Sequence, residues 1–283
     1  MTELSGRQLS GRQLAAEIRA DATARAAKLT ADGRQPRLAV VTATSDEASA
    51  WYVRSIANAA AKTGIACDVQ HTNTVAGITA TLASLADDPE VHGIILQTPL
   101  PEHAKLAGLA AAIPAAKDVD GASPESLGRL AAGLPGFVPA TAEAVIALLA
   151  HHGIEAGGRR AVIVGRSVIV GKPVAQLLLD RNATVTIAHS RTTDLPAVTR
   201  EAEVLVVAAG RAGLIGAADV SPGAIVVDVG TNATADGGLA GDVDPAVAAV
   251  AGGLTPVPGG VGPVTTALLL SHVVQAAAAG VGG

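Results

Sequence analysis

The sequence has little of the residues that mark several classes of protein. Cysteine occurs once, at Cys67, which excludes a disulfide framework and a cysteine-based zinc site and fits a reducing cytosol. No block of like charges stands out and the formal net charge is -5, so nothing indicates a nucleic-acid or anionic membrane partner. The first residues, up to Leu14, lack the apolar core of a signal peptide. We therefore expect a cytoplasmic protein without a bound metal.

Long hydrophobic runs and aromatic residues are also scarce. Hydrophobic residues make up 49% of the chain, but they are mostly Ala and Val in short runs broken by Gly, Asp, Arg and His. The chain therefore lacks the stretch of about 20 apolar residues that a transmembrane helix needs. Trp, Tyr and Phe occur once each, which we attribute to the alanine-rich composition. A chain of 283 residues is long enough for two domains.

Short apolar runs alternate with segments of helical spacing along the whole chain. This alternation predicts βαβ units and mostly parallel sheets, that is, an α/β fold. A Gly- and Pro-rich passage over 133–139 indicates a boundary between two domains near residue 140. The predicted strands are Leu38–Thr44, Cys67–Thr72, Gly93–Gln97, Arg160–Val164, Ala183–His189, Val204–Ala209 and Ala224–Val229, and the predicted helices are Leu14–Leu29, Glu47–Thr63, Val75–Leu85, Thr141–His152 and Val264–Ala279.

A glycine turn in the second half follows a predicted strand and opens a helix. The segment from Gly165 to Pro173 contains Gly171 and could turn backbone N–H groups toward a pyrophosphate. The glycines by themselves are a weak signal, and in isolation they favour an ordinary strand-to-helix turn. The next strand ends at Ser190 and Arg191, where NAD enzymes usually carry an acid on the ribose. Together with Arg166 in the turn, these residues suit the 2′-phosphate of NADP. The alternative for both arginines is a solvated surface.

Five motifs occur in order over nearly the whole chain. They resemble the methylenetetrahydrofolate dehydrogenase/cyclohydrolase family, and the last of them is the most specific. The motifs are Tyr52-Val53, Gln97-Thr-Pro-Leu-Pro101, Lys117-Asp-Val-Asp-Gly121, Gly165-Arg-Ser-Val-Ile-Val-Gly-Lys-Pro173 and Pro256-Val-Pro-Gly-Gly-Val-Gly-Pro263.

The resemblance implies a homodimer whose subunits have two domains separated by a cleft. An N-terminal α/β substrate domain would span 1–140 and be joined by the C-terminal helix over 264–283. A Rossmann-like NADP-binding domain would span 141–263. The substrate would be a tetrahydrofolate derivative, and no nucleic-acid or membrane partner is expected.

The resemblance also implies a role for each matching residue. Tyr52 would flank the pterin, Gln97 would lie beside the reacting carbon, and Asp120 would hydrogen-bond the pterin nitrogens. The cofactor would be held by Gly165, Arg166, Ser167, Gly171, Ser190 and Arg191, and a tight backbone wall near the substrate would be formed by Pro258, Gly259 and Gly260. Taken singly, Tyr52 could be a core aromatic, Gln97 a strand-end amide and Asp120 a turn residue.

One position departs from the family pattern. The family tyrosine is followed four residues later, on the same helical face, by a lysine, and here that position is Ile56. Arg54 lies two residues from Tyr52 and therefore on another face of the helix, while Lys62 lies more than a turn beyond Ile56. Neither can take the place of the lysine.

The departure affects one of the two reactions of the family. Hydride transfer requires mainly alignment of carbon and nicotinamide, whereas hydrolysis of the methenyl product requires a group that gives and takes a proton. We therefore expect an NADP-dependent dehydrogenase with weak or absent cyclohydrolase activity. Two alternatives stay open: an NADPH-dependent reductase of another C=N substrate, and a non-catalytic paralogue that binds folate or NADP.

Overall fold

Two compact units make up the chain. The computed structural model describes residues 6–43, 47–234 and 237–280. The first unit comprises Ala16–Ala140 and the segment from Thr266 onward, and the second comprises the segment up to Ala15 and Thr141–Thr265. Each unit has its own parallel sheet, so the predicted two-domain α/β fold is confirmed.

The regular elements alternate as the sequence predicts. Two short 3₁₀ helices cover Ala217–Asp219 and Pro245–Ala249. In chain order the described residues form β1 (Arg7–Gln8), α1 (Arg12–Ala31), β2 (Arg37–Thr42), α2 (Glu47–Thr63), β3 (Ala66–His71), α3 (Val75–Asp87), β4 (Gly93–Gln97), α4 (Leu106–Ala110), α5 (Pro124–Ala131), α6 (Ala140–His151), β5 (Arg160–Val164), α7 (Gly171–Leu179), β6 (Thr184–Ala188), α8 (Leu195–Thr199), β7 (Val204–Val207), β8 (Ile225–Asp228), β9 (Asn232–Ala233), β10 (Leu239–Ala240), β11 (Gly253–Leu254) and α9 (Val261–Ala279).

The first unit is built on a three-stranded sheet in the order β3-β2-β4, with both pairs parallel. Alternate residues of β2 enter different hydrophobic clusters: Leu38 and Val40 lie in one, and Ala39 and Val41 in the other. The cluster around Val40 also contains side chains from α1, α2 and α9. Because side chains alternate between the faces of a strand, the sheet is covered on both faces.

Helix α9 completes the core of the first unit. By length and composition this helix could cross a membrane. However, Leu269, Leu270, Val273 and Val274 are buried in the same cluster as Val40. Burial within the protein therefore accounts for the apolar character of this helix.

The second unit contains six parallel strands in the order β1-β11-β8-β7-β5-β6, and a separate antiparallel pair of β9 and β10. Its N-terminal contribution differs from the expected division at residue 140. Strand β1 belongs to this sheet because Arg7 pairs with Gly253 of β11. A two-residue strand carries no hydrophobic alternation, so the sequence offers no signal for it.

Element boundaries differ from the sequence-based expectations by a few residues. Strand β2 ends at Thr42, and the expected end at Thr44 lies outside the described residues. Helix α6 covers Ala140–His151 and so begins and ends one residue before the predicted bounds. Helix α9 begins at Val261, three residues before the predicted start.

Candidate functional site

The glycine turn of the second unit connects β5 to α7. Gly165 has φ +138°, and a Cβ at this position would overlap the carbonyl oxygen of Ala208. A Cβ on Gly171 would likewise overlap the carbonyl oxygen of Gly165. Both positions therefore require glycine for close backbone packing. Between them, Arg166 and Ser167 are exposed.

Ser167 also organises the start of α7. Its Oγ accepts hydrogen bonds from the N–H groups of Val170 at 3.2 Å and Gly171 at 3.3 Å. The backbone carbonyl of Ser167 accepts from Lys172 N–H at 3.1 Å. These bonds hold the turn in one shape at the positive end of a helix.

A second exposed turn lies beside the first. Strands β5 and β6 are parallel neighbours that end together, with Val164 opposite Ala188, and Gly165 N–H donates to the carbonyl of Ala188 at 2.9 Å. Ser190 and Arg191 follow β6 and are exposed. In the described part of the chain, neither Arg191 nor Arg166 forms an ion pair. The two predicted groups of cofactor residues thus lie at the same edge of the sheet.

A buried carboxylate holds the loop that follows β7 at this edge. Asp242 accepts N–H donors from Ala209 at 2.6 Å, Gly210 at 2.8 Å and Arg211 at 2.8 Å. The Nδ2 group of Asn232 donates to the same carboxylate at 2.9 Å. Four donors on one carboxylate give the loop beside the glycine turn a fixed position.

The predicted glycine wall lies in the second unit, after β11. Gly259 has φ +112°, and its carbonyl accepts from Gly11 N–H at 2.9 Å. Gly259 and Gly260 are buried, whereas Pro258 is exposed. A Cβ on Gly260 would lie 2.7 Å from the carbonyl oxygen of Pro256. The segment is therefore packed tightly through its backbone, and its role as a wall near the substrate stays a prediction.

Helix α2 carries the predicted tyrosine in the first unit. Tyr52 is half-buried and packs against the cluster that contains Val53 and Ile56. Burial and the nearby carboxylate of Asp120 raise the pKa of Tyr52 to about 12. Ile56 is 1% exposed and lies one helical turn from Tyr52, whereas Arg54 is exposed. The structure therefore places Ile56 and Arg54 on different faces of α2, as predicted.

The turn that carries Asp120 is held by its neighbours. The carboxylate of Asp118 accepts from the N–H groups of Ala122 at 3.1 Å and Ser123 at 2.8 Å. Lys117 Nζ donates to three carbonyls at the end of α3, including that of Asp88 at 2.6 Å. Burial, assisted by the charge of Asp118, raises the pKa of Asp120 to about 7, while His272 opposes this shift.

Gln97 ends β4 beside the end of β2. Its side chain donates to the carbonyl of Thr98 at 2.7 Å. Thr42 is its partner in the register, and His71 is the partner of Thr42 on the other side. The Oγ1 atom of Thr42 is buried and has no hydrogen-bond partner among the described residues. The ends of the three strands thus bring polar side chains to one edge of this sheet.

His272 is not among the residues that the sequence predicts for the site. It is 5% exposed on α9 and contacts the segment that precedes Asp120 through the carbonyl of Val119. The only sequence signal is a histidine in an otherwise apolar helix, which is usually a core residue. The structure thus associates Tyr52, Asp120 and His272 within the first unit, and the predicted cofactor residues and Pro258–Gly260 within the second.

A parallel sheet with a glycine-tight turn at a helix N-terminus defines the second unit as a dinucleotide-binding domain of the kind found in oxidoreductases. Comparison with known proteins identifies the particular family. The chain belongs to the tetrahydrofolate dehydrogenase/cyclohydrolase family: the model of its catalytic domain matches residues 9–120, and the model of its NAD(P)-binding domain matches residues 139–280. The family resemblance predicted from the sequence is therefore confirmed, and the protein is an oxidoreductase.

Relatives match over nearly the full chain. The bifunctional protein FolD 1 of Rhodococcus jostii is 62% identical over 275 residues, covering 96% of this chain and 93% of the relative. The crystal structure of the bifunctional FolD dehydrogenase/cyclohydrolase from Campylobacter jejuni has a TM-score of 0.92 at 40% identity, covering 96% of this chain and 98% of that one. The Trypanosoma brucei FolD structure, complexed with NADP cofactor and inhibitor, has a TM-score of 0.90 at 35% identity and covers 97% and 98%.

Proposed function

We propose that this protein is an NADP-dependent methylenetetrahydrofolate dehydrogenase whose cyclohydrolase activity is weak or absent. The observation that supports weak or absent cyclohydrolase activity is the isoleucine at position 56. It lies one helical turn from Tyr52, where the family resemblance places a lysine, and it is 1% exposed in a cluster of apolar side chains. The comparisons support the folate reaction and give no support to another C=N substrate or to a non-catalytic paralogue.

The second unit fits NADP. The backbone around Gly165 and Gly171 leaves no room for side chains, and the exposed Arg166, Ser190 and Arg191 offer guanidinium and hydroxyl donors to a phosphate. The Trypanosoma brucei relative was solved with NADP. When bound, NADP⁺ supplies the hydride acceptor, and the protein positions it.

The first unit fits the pterin end of a folate. An ionised Asp120 can accept hydrogen bonds from the amino group and ring N–H of a pterin. Tyr52 lies close enough to Asp120 for the charge of that carboxylate to raise the pKa of the tyrosine. Gln97 lies at the carboxyl end of β4, the edge at which ligands of parallel sheets bind. We assign Asp120 and Tyr52 to orientation of the pterin and Gln97 to the side of the reacting carbon.

Hydrolysis of the methenyl product needs a proton carrier that this site lacks at position 56. Ile56 can neither give nor take a proton, and Arg54 and Lys62 are exposed on α2. Tyr52, with its pKa raised to about 12, stays protonated at neutral pH. Asp120, with a pKa of about 7, could exchange a proton at neutral pH, but in this proposal it is hydrogen-bonded to the pterin. The name of the Rhodococcus jostii relative ascribes two activities to that protein, so direct measurement on this chain is decisive.

A stopped absorbance trace tests the proposal. Purified protein is mixed with methylenetetrahydrofolate and NADP⁺, and NADPH and the methenyl product are followed together against the uncatalysed decay of the methenyl compound. We expect equal amounts of both, with a methenyl signal that decays at the uncatalysed rate. Rapid loss of that signal would show that another group, with Asp120 the first candidate, performs hydrolysis. Absence of both products would overturn the folate assignment.

We also propose a cytoplasmic homodimer. Strand β6 forms one edge of the six-stranded sheet and leaves Ile187 42% exposed. An exposed edge strand with an apolar side chain offers a surface for pairing with a second copy. Light scattering after size-exclusion chromatography should give twice the mass of one chain, and the mass of a single chain would contradict the proposal.

A further inference from the structure

His272 is a buried titratable side chain with a fixed orientation. It lies on α9 with 5% of its surface exposed, and its Nδ1 atom is 2.8 Å from the carbonyl oxygen of Val119. The ring also contacts that of Phe137, with 5.0 Å between the ring centroids and an interplanar angle of 37°. Because a carbonyl only accepts hydrogen bonds, Nδ1 carries a proton. Protonation of the other ring nitrogen then gives an imidazolium.

The imidazole lies next to the turn that presents Asp120. Val119, whose carbonyl it contacts, is the residue before Asp120. Among the described residues, the charges that act on the Asp120 carboxyl are those of Asp118, which repels its ionised form, and His272, which favours it. Lys117 is not a substitute for this cation, because its Nζ donates to carbonyls at the end of α3.

We propose that His272, as an imidazolium, is a positioning residue that favours the ionised form of Asp120, so that a larger fraction of the Asp120 carboxyl can accept hydrogen bonds from a bound pterin. The role assigned to Asp120 rests on the proposed function. The contact with Val119 fixes the ring, and the buried setting leaves its charge little screened by water.

The direction of the effect follows from the chemistry of the pair. Burial favours the neutral form of Asp120, and even with His272 nearby its pKa is raised to about 7. Loss of the opposing positive charge raises the pKa further. At neutral pH the carboxyl would then be mostly protonated, and a protonated carboxyl accepts fewer hydrogen bonds. In a variant that lacks the charge of His272, pterin binding should therefore be weakened most, relative to wild type, at low pH. The difference from wild type should decrease as the pH rises.

The first test measures Asp120 without any ligand. The full-length protein is labelled with ¹³C at the carboxyl of aspartate, and the Asp120 signal, assigned with the D120N variant, is titrated by NMR. In His272→Asn, the amide nitrogen can still donate to the Val119 carbonyl but carries no charge. We expect the midpoint of the Asp120 titration to rise by about one pH unit or more. His92→Asn, in the same unit, is the matched control and should leave the midpoint unchanged, because His92 does not act on Asp120.

The second test measures the KM for methylenetetrahydrofolate between pH 6 and 9. In His272→Asn the KM should increase about tenfold at pH 6.5, and the ratio to wild type should decline as the pH rises. A constant increase at every pH, or an unchanged Asp120 midpoint, would overturn the proposal and leave His272 a packing residue. If His272→Asn does not fold, His272→Gln replaces it in both tests. If the wild type does not oxidise the folate, the proposed function fails, while the NMR titration still decides the role of His272.

Discussion

The two units present their candidate site residues in different ways. In the second unit, Arg166, Ser190 and Arg191 are exposed, and the backbone beneath them is held by glycine packing and by the carboxylate of Asp242. In the first unit, Tyr52 and Asp120 are half-buried, and burial raises the pKa of both. The second unit thus combines a rigid backbone with accessible donors, and the first places a few polar groups where water screens them little.

This difference indicates which changes each unit tolerates. An exposed side chain at a phosphate site can be replaced with little effect on folding, whereas the glycines beneath it cannot. In the first unit, a change of charge alters both stability and chemistry, because low polarity strengthens every electrostatic interaction. Substitutions in the two units therefore test this contrast.

Replacing Ile56 by lysine should introduce the proton carrier that, in our proposal, position 56 lacks. General acid–base catalysis contributes about a hundred- to ten-thousand-fold, so I56K should hydrolyse the methenyl compound faster by a factor in that range. The rate of methenyl disappearance measures it. Ile56→Met, which keeps an apolar side chain, is the control and should show no gain. A wild type that already matches I56K would contradict the role given to position 56.

Replacing Asp120 by asparagine should stabilise the free protein while reducing folate oxidation. Because the pKa of Asp120 is raised to about 7 in the folded state, its contribution to stability is complete below the unfolded pKa near 4 and is lost as the pH rises through 7. The free energy of unfolding of D120N should therefore exceed that of wild type by about 2–4 kcal/mol above pH 8. Urea unfolding followed by circular dichroism at pH 5 and pH 8 measures this; an advantage that does not grow with pH would refute it.

Replacing Gly165 by alanine should disrupt the cofactor turn. The new Cβ would overlap the carbonyl oxygen of Ala208, at a φ of +138° that alanine rarely adopts. A strain of about 1–3 kcal/mol corresponds to a roughly ten- to hundredfold increase in the KM for NADP⁺. Gly216→Ala is the control in the same unit, because its Cβ would meet only Asp219 Oδ2, at 3.6 Å. Equal effects of the two changes would argue against close packing as the cause.

Replacing Arg191 by alanine should affect one cofactor and not the other. Loss of a charge-assisted hydrogen bond to the 2′-phosphate should increase the KM for NADP⁺ by about tenfold or more and leave that for NAD⁺ unchanged. Arg200→Ala removes another exposed arginine of the same unit, one that donates to the Ala218 carbonyl, and should change neither value. An R191A variant that loses both cofactors equally would show that Arg191 does not read the 2′-phosphate.

Replacing Thr42 by valine should have the smallest effect. The change removes a buried hydroxyl that has no partner among the described residues, and should raise the free energy of unfolding by about 1 kcal/mol. Thr63→Val is the matched control: Thr63 is equally buried, but its hydroxyl donates to the Ala59 carbonyl at 2.9 Å, so its loss should destabilise the protein by about 1 kcal/mol. Destabilisation by T42V would mean that the hydroxyl has a partner after all.

Local patterns were sufficient for most of the architecture. Strands such as Gly93–Gln97 and Arg160–Val164 were predicted at their observed bounds, because short apolar runs between turns carry a strong signal. Strand β1 was missed, because two polar residues pair only when β11 lies beside them. Likewise, nothing near His272 in the sequence indicates Asp120, which precedes it by 152 positions, and only the packing of α9 makes these residues neighbours.

The sequence by itself determined the class of fold, the family, the glycine turn and the isoleucine at position 56, because each of these depends on residue type and short spacing. Only the tertiary structure decided the polarity of the surroundings of each site residue. The pKa of Asp120 and the fixed ring of His272 arise from burial and from contacts between distant segments. The same holds for the buried hydroxyl of Thr42, which has no partner in the part of the chain that the structure describes. Electrostatic free energies depend on distance and on exclusion of water, and both are set only when the chain has folded.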